Sequence, residues 1–243
     1  MSRLNIYAVT LAAGLLVGVG CSRNNSQTGE ASREVTPAKN TGTAFVRYVN
    51  AVGGHSNTTL YFGDTELFSS AEAQKPTAYK QVPAERRDFI LREAAKPTGM
   101  EIAKNSEGLG DGKHYTVVAF EDTDTKPVLR VFNDDESAPA AGKAKVRLIH
   151  AAPGVEPVGL YTPRAKDKLA GESRFNSGSS WQEVNPVNGP LEIRTGDHKN
   201  VSRVTVPDHG IEAGKFYTLI VEGGAKTGEK LHVVELVDTP TAL

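Results

Sequence analysis

The side chains able to do chemistry are few and scattered. Six histidines, His55, His114, His150, His198, His209 and His232, stand far apart, and no two sit at the short spacing of a metal-ligand pair. No G-x-S-x-G, S-x-x-K or H-E-x-x-H signature occurs, so the familiar hydrolase nucleophiles and zinc ligands lack their spacing. Carboxylates gather at Glu121, Asp122 and Asp124, and again at Asp134, Asp135 and Glu136. Loop oxygens of this kind suit calcium, but the EF-hand spacing is missing, and a solvated turn is the simpler meaning. The glycines of EGLGDGK, residues 107–113, suggest a phosphate loop. Yet no Ser or Thr follows the Lys, and the segment leads into a strand where a phosphate cradle needs a helix amino terminus. No catalytic or metal-ligating residue is assigned, and no cofactor is expected. A formal net charge of −1 offers no basic field for nucleic acid.

The one residue placed for a specific modification is Cys21, the sole cysteine among 243 residues. It follows an apolar run, Ile6 to Val19, that is short against the roughly 20 residues of a membrane span. A positive start, a short apolar stretch and small residues before the cysteine read as a signal peptide over 1–20. LLVGVGC resembles a bacterial lipoprotein signal, which implies that Cys21 carries a lipid anchor. Gly18 departs from the Leu usual in such signals three places earlier. Residues 21–42 form the expected tether: polar, without large apolar side chains, and unable to bury enough surface to fold. A flexible chain of about 20 residues spans about 25 Å.

The elements that would position any site come from a repeat. VRYVNAVGG at 46–54 returns as VRLIHAAPG at 146–154. Leu60-Tyr61 matches Leu160-Tyr161, Tyr79 and Val82 match Trp181 and Val184, and Gly112 to Thr116 matches Gly214 to Thr218. Leu129 and Val131 align with Leu231 and Val233 at the same offset. Two domains follow, 43–135 and 144–240, joined by a linker at 136–143. Strands are expected at 44–50, 58–62, 87–92, 115–120 and 127–132, then at 145–150, 157–162, 189–194, 201–206, 216–222 and 230–237. No window carries a capped 3.6-residue pattern. The fold class is all-β, two tandem immunoglobulin-like β-sandwich domains.

Four matched pairs are candidate site or structural residues. Tyr115 and Tyr217 follow a turn glycine at fixed spacing, the layout of a tyrosine corner whose hydroxyl bonds back to the backbone. Asn50 and His150 hold one position, and both side chains can hydrogen-bond the backbone of a following turn. Arg47 and Arg147 lie inside strands, where they either face solvent or pair with a carboxylate across the sheet or at the domain joint. Trp181 and Tyr79 are the aromatic platform of an alternative, carbohydrate-binding reading, which requires Trp181 flat on the surface.

The pattern V-R-x-x-[NH]-A-x-x-G, then L-Y, then G-K-x-Y-T, resembles the bacterial "domain of unknown function 4397" family in two tandem copies. The resemblance implies secreted or lipid-anchored envelope proteins with immunoglobulin-like sandwiches and no assigned activity. It departs at Thr59 and Gly159, where relatives often place an Asp. The expected function is a non-catalytic, lipid-anchored envelope module for an unidentified envelope protein or polysaccharide, facing periplasm or exterior. The alternatives are the carbohydrate-binding module and an enzyme with its site between the domains.

Overall fold

Apolar residues alternate along most of these strands, so each buries one face and pairs into a sheet. The computed structural model describes residues 42–94, 100–134, 137–165, 167–195, 202–206, 210–223 and 230–239. Cys21, the tether before residue 42, His198, His209, Asp135 and Glu136 lie outside the described residues. The first half holds β1 (Thr43–Ala51), β2 (Asn57–Phe62), β3 (Thr65–Glu72), β4 (Lys80–Pro83), β5 (Arg86–Glu93), β6 (Glu101–Gly108), β7 (His114–Glu121) and β8 (Pro127–Asn133). The second holds β9 (Ala144–His150), β10 (Val158–Tyr161), β11 (Ala170–Ser173), β12 (Ser177–Gly178), β13 (Gln182–Val184), β14 (Leu191–Thr195), β15 (Ser202–Val206), β16 (Phe216–Gly223) and β17 (Leu231–Asp238). Among the described residues there is no helix, and none long and apolar enough to cross a membrane.

The strands form two sandwiches of the same design. In the first, the sheet β4-β1-β7-β8 packs on β3-β2-β5-β6; in the second, β12-β9-β16-β17, with β13 also on β9, packs on β11-β10-β14-β15. The all-β sandwich expectation holds. Pairing is antiparallel except where β1 runs parallel to β7, and β9 to β16.

A third apolar layer lies between the sandwiches. Val46, Tyr48, Val117 and Ala119 point into the first core, and Val146, Leu148, Tyr217 and Leu219 into the second. The alternate residues of the same strands, Val49, Val118 and Phe120 with Ile149 and Ile220, join Val234 and Leu236 in a seam between the two sandwiches. Thus β1, β7, β9 and β16 are covered on both faces. This is why VRYVN and TLIV read as nearly unbroken apolar runs, while β5, buried on one face, alternates as RRDFILRE.

All eleven expected strands are present. The six that sequence reading missed, β3, β4, β6, β11, β12 and β13, each lie at a sheet edge. An edge strand buries few residues and carries polar ones on its open side, so KQVP and EIAKNSEG give little periodic signal. One alignment is corrected by the register. Tyr115 faces Asn133, whereas Tyr217 faces Val237, because the second closing hairpin is two residues longer between its strands. Leu129 therefore corresponds to Val233, not Leu231, and Asp134 to Asp238.

Ile220 is fully buried in the seam layer. Ile220→Ala should destabilise the protein by about 2–5 kcal/mol, the usual cost of a buried Ile-to-Ala cavity. Urea unfolding followed by circular dichroism measures it, and an unchanged midpoint would show that the seam layer contributes nothing to the fold.

Candidate functional site

The seam has two ends, and each gathers polar groups from both sandwiches. At the first end, the parallel pairing sets Arg47 of β1 beside Thr116 of β7, and Arg147 of β9 beside Thr218 of β16. Both arginines point into the seam and are buried, at 5% and 4% exposure. Arg47 Nε donates to Thr116 Oγ1 at 2.8 Å, and Arg147 Nε to Thr218 Oγ1 at 2.9 Å. Each guanidinium then crosses to the other sandwich. Arg47 forms a two-pronged pair with Asp238, 3.0 and 2.9 Å. Arg147 donates to Asp134 and to the Asn133 carbonyl. Since Asp134 and Asp238 correspond, the two pairs are reciprocal, as across a two-fold axis.

Asp134 is the more deeply held carboxylate, at 1% exposure. It accepts hydrogen bonds from Tyr79 (2.7 Å), Thr116 (2.6 Å) and Arg147, with Arg47 at 3.6 Å. Burial by itself would lower the Arg47 pKa, but the Asp134 and Asp238 carboxylates outweigh it and the net shift is upward. Burial, then the adjacent Asp134 carboxylate, push the Tyr79 pKa up, so the phenol stays protonated and donating. Solvent-facing arginine, the commoner fate of a polar strand residue, is thus not what the strands build. The carboxylate partners are at the domain joint.

Tyr79 and Trp181 cap this network. The Arg47 guanidinium lies 4.6 Å above the Tyr79 ring and that of Arg147 4.5 Å above Trp181, within cation–π range. Trp181 also meets Phe216 edge-on at 5.6 Å, and Tyr79 meets His114 at 5.2 Å. Both rings are half-buried with one face taken by an arginine, a different arrangement from the flat exposed surface that a sugar platform requires.

Asn50 and His150 order the loops at the other end. Asn50 Oδ1 accepts from the Val52 amide at 3.2 Å and its Nδ2 donates to the His55 carbonyl at 3.0 Å. His150 Nδ1 accepts from the Ala152 amide at 3.2 Å, and its Nε2 lies 3.2 Å from the Val155 and Glu156 carbonyls. The imidazole therefore reproduces the amide's bonds, with the proton on Nε2. Burial lowers its pKa, offset in part by the two carbonyls. Tyr115 Oη accepts from the Gly110 amide, and Tyr217 Oη from the Glu212 amide, both at 2.9 Å. EGLGDGK is the turn that makes this bond possible.

The acidic loops separate into different roles. Asp122 Oδ1 accepts the Asp124 and Lys126 amides at 2.8 and 2.9 Å, which shapes a turn, while Asp134 belongs to the seam. Among the described residues, no group of three or more His, Cys, Asp or Glu is arranged to hold a metal.

Beyond Asn50 and His150 the seam opens into a cleft of about 340 Å³, lined by loop 51–54, by Ala151 and Pro153, and by Ala73, Gln74, Glu121, Glu222 and His232. Glu121 ends β7, and Glu222 and His232 are register partners across β16 and β17. Glu222 is only 3% exposed, whereas His232 is exposed. A Cβ on Gly53 would stand 3.1 Å from Glu121 Oε2, so the glycine lets this carboxylate close against the loop. The sequence reading singled out Glu121 only as one of a loop cluster and His232 only as one of six scattered histidines, and it missed Glu222, Asp134 as a seam ligand, and Asp238. Apart from Ala51 and Ala151, the residues facing the cleft differ between the two halves, so the repeat itself gave little signal there. For Asp134 and Asp238 the signal was present but lay out of step by the longer hairpin.

Residues 44–161 match the family model described as Domain of unknown function (DUF4397). No curated protein matches the chain. Among solved structures, the carbohydrate-binding module CBMbc (family CBM26) of Eubacterium rectale Amy13K, in complex with maltoheptaose, is 12% identical and covers 82% of this chain and 99% of its own, at a TM-score of 0.25. A putative cell adhesion protein from Bacteroides uniformis is 11% identical with the same coverage and a TM-score of 0.26. The tip fimbrial protein Mfa3 from Porphyromonas gingivalis is 8% identical, again with that coverage, at 0.25. Likenesses this distant carry no argument about a ligand.

Two substitutions test the seam and the loop. Asp134→Asn leaves Arg147 without its buried counter-charge and should cost about 3–5 kcal/mol in urea unfolding, the range for breaking a buried pair. A loss below about 1 kcal/mol would show that the guanidiniums are solvated enough to manage alone. For His150 the folded pKa lies below the usual value of about 6.5. The unfolded chain therefore takes up this proton first, and the penalty on folding is absent above pH about 6.5 and grows as pH falls below it. His150→Asn keeps the loop bonds and removes that penalty, so between pH 7 and 5 wild type should lose more stability than the variant. Equal losses would show that His150 does not titrate differently on folding.

Proposed function

We propose that this chain, whose residues 44–161 match DUF4397, is a non-catalytic module of the cell envelope that binds a protein partner in the cleft between its two sandwiches. The observation that carries the reading is the cleft itself. It is built jointly by loops of both sandwiches, on a seam locked by two reciprocal ion pairs. Loops on a rigid sandwich are the usual place for recognition. Three of the polar groups weighed from the sequence have structural work. His150 and Asn50 fix loops, and Asp134 neutralises arginines.

The second half, residues 144–240, has the strand order of the first, and we take it as a second copy of the same unit. The tether and Cys21 complete the proposal: acyl chains on Cys21 hold the protein at a membrane, with the sandwiches outside the cytoplasm. The apolar run ahead of Cys21 is shorter than a span, and one acyl chain binds only marginally, so two or more are required. A polysaccharide partner stacked on Trp181 and Tyr79 is the weaker reading, because an arginine occupies one face of each ring.

Mass spectrometry of the mature amino terminus should find Cys21 acylated; a free thiol there, or cleavage beyond it, removes the anchor. Photo-crosslinking from Gly54, at the cleft mouth, in native envelopes should capture one protein. Capture of the same protein from a site on the outer sheet, or of none from Gly54, overturns the cleft as the binding site.

A further inference from the structure

The two loops at the mouth of the cleft are tied by matched residues of different chemistry. In the first half, Asn50 Oδ1 accepts the Val52 amide at 3.2 Å, and Nδ2 donates to the His55 carbonyl at 3.0 Å. In the second, His150 Nδ1 accepts the Ala152 amide at 3.2 Å, and Nε2 faces the Val155 and Glu156 carbonyls at 3.2 Å. An amide oxygen stays an acceptor at any ordinary pH. An imidazole nitrogen does not, because a second proton makes both ring nitrogens donors. His150 has no exposed surface, so its ring cannot reach water unless the loop moves. In the closed loop, a protonated Nδ1 would stand against the Ala152 N–H, two donors with no acceptor between them.

We propose that His150 is a proton-operated latch on the cleft: a proton taken up at Nδ1 breaks the Ala152 bond and frees loop 151–156, while the Asn50 loop holds. The inference rests on the binding reading above and adds its regulation. Ala151 and Pro153 of the freed loop line the cleft, so a partner seated there at neutral pH is released in acid. The ring lies among apolar groups. Val221, its register partner on β16, is in the second core, and Phe175 meets the ring edge-on at 6.0 Å. Ala73 stands at the place of Phe175 in the first half, because Asn176 donates to the His150 carbonyl as Gln74 does to that of Asn50, both at 2.8 Å. The charged residues on the elements around the ring are Glu222, Glu156, Glu172 and Arg174. Glu222 holds the place of Phe120, on the seam side of β16, and the other three are exposed. Burial holds the His150 pKa below its ordinary value, and the Glu156 and Val155 carbonyls offset this only in part. The open loop, in which the imidazole meets water, therefore takes the proton first, and falling pH favours it. From an ordinary value of about 6.5, the ratio of open to closed loop rises up to about thirtyfold between about pH 7.5 and about pH 5. Histidine is the side chain whose charge ordinarily changes in this range, and the matched Asn50 has no charge to change.

Residue-resolved amide exchange of the full chain, corrected for the intrinsic pH dependence of exchange, tests the latch without any ligand. Protection of the Ala152 amide should fall about threefold or more between about pH 7.5 and about pH 5, while that of the matched Val52 amide holds. In His150→Asn both should hold. A smaller fall at Ala152, an equal fall at Val52, or the same fall in the variant overturns the inference. Nitrogen NMR of the histidine rings gives a second check that needs no variant. At neutral pH the His150 proton should sit on Nε2, and a proton on Nδ1 there would overturn the latch. Crosslinking from Gly54 then separates the latch from the binding reading. Capture at neutral pH that drops in acid for wild type and persists for His150→Asn supports the regulation, and equal capture by wild type at both pH values overturns it. No capture at neutral pH fails the binding reading, and the exchange measurement still decides the latch.

Discussion

Two guanidinium groups buried between two β-sandwiches constrain everything else in this protein. Arg47 and Arg147 sit on central strands, inside a layer that is otherwise apolar. A buried cation is tolerated only with an opposite charge and hydrogen bonds in good geometry. Thr116 and Thr218 supply the first bonds from the neighbouring strand, and Asp134 and Asp238 supply the charge from the opposite sandwich. The arrangement admits little rotation or sliding of one sandwich on the other, because a shift would separate both pairs at once. A purely apolar seam would bury area equally well but would fix its angle less sharply.

That rigidity is what gives the cleft at the opposite end a definite shape. Loop 51–54 and the loop after β9 would otherwise wander. Asn50 and His150 tie them to their own backbones with equivalent bonds, so the mouth of the cleft is set by two side chains that do not enter it. The tyrosines at 115 and 217 play the same part at the other ends of the central strands. The two halves differ where the cleft opens, at Glu222 against Phe120 and at Ala73 against Phe175. The matched residues of the two sandwiches, Arg47 with Arg147, Asn50 with His150 and Tyr115 with Tyr217, all hold structure.

How legible this was depended on how many faces a strand buries. The doubly covered strands β1, β7, β9 and β16 announce themselves, since VRYVN and TLIV leave no room for another reading. Singly covered inner strands such as β5 show clear alternation. Edge strands such as β4 and β6 were silent, because one inward side chain in a polar tetrapeptide or octapeptide gives no period. The tyrosine-corner layout and the Asn50–His150 equivalence were readable because their partners are local, within a few residues of chain. The pairing of Arg47 with Asp238 was not, because its partner is 191 residues away and a two-residue difference in hairpin length hid the correspondence of the two aspartates.

By itself, then, the sequence determined the repeat, the β-class, the placement of the central strands and the loop-ordering side chains. All of these rest on short-range periodicity and on matches between the two halves. Only the tertiary structure decided that the arginines face inward, that Trp181 and Tyr79 cover them, and that a cleft opens beside Glu222. Which face of a strand becomes solvent depends on whether a second sandwich lies against it, and period-two alternation is the same in either case. A contact across the seam is set by how two whole sheets pack, which no local run of residues records.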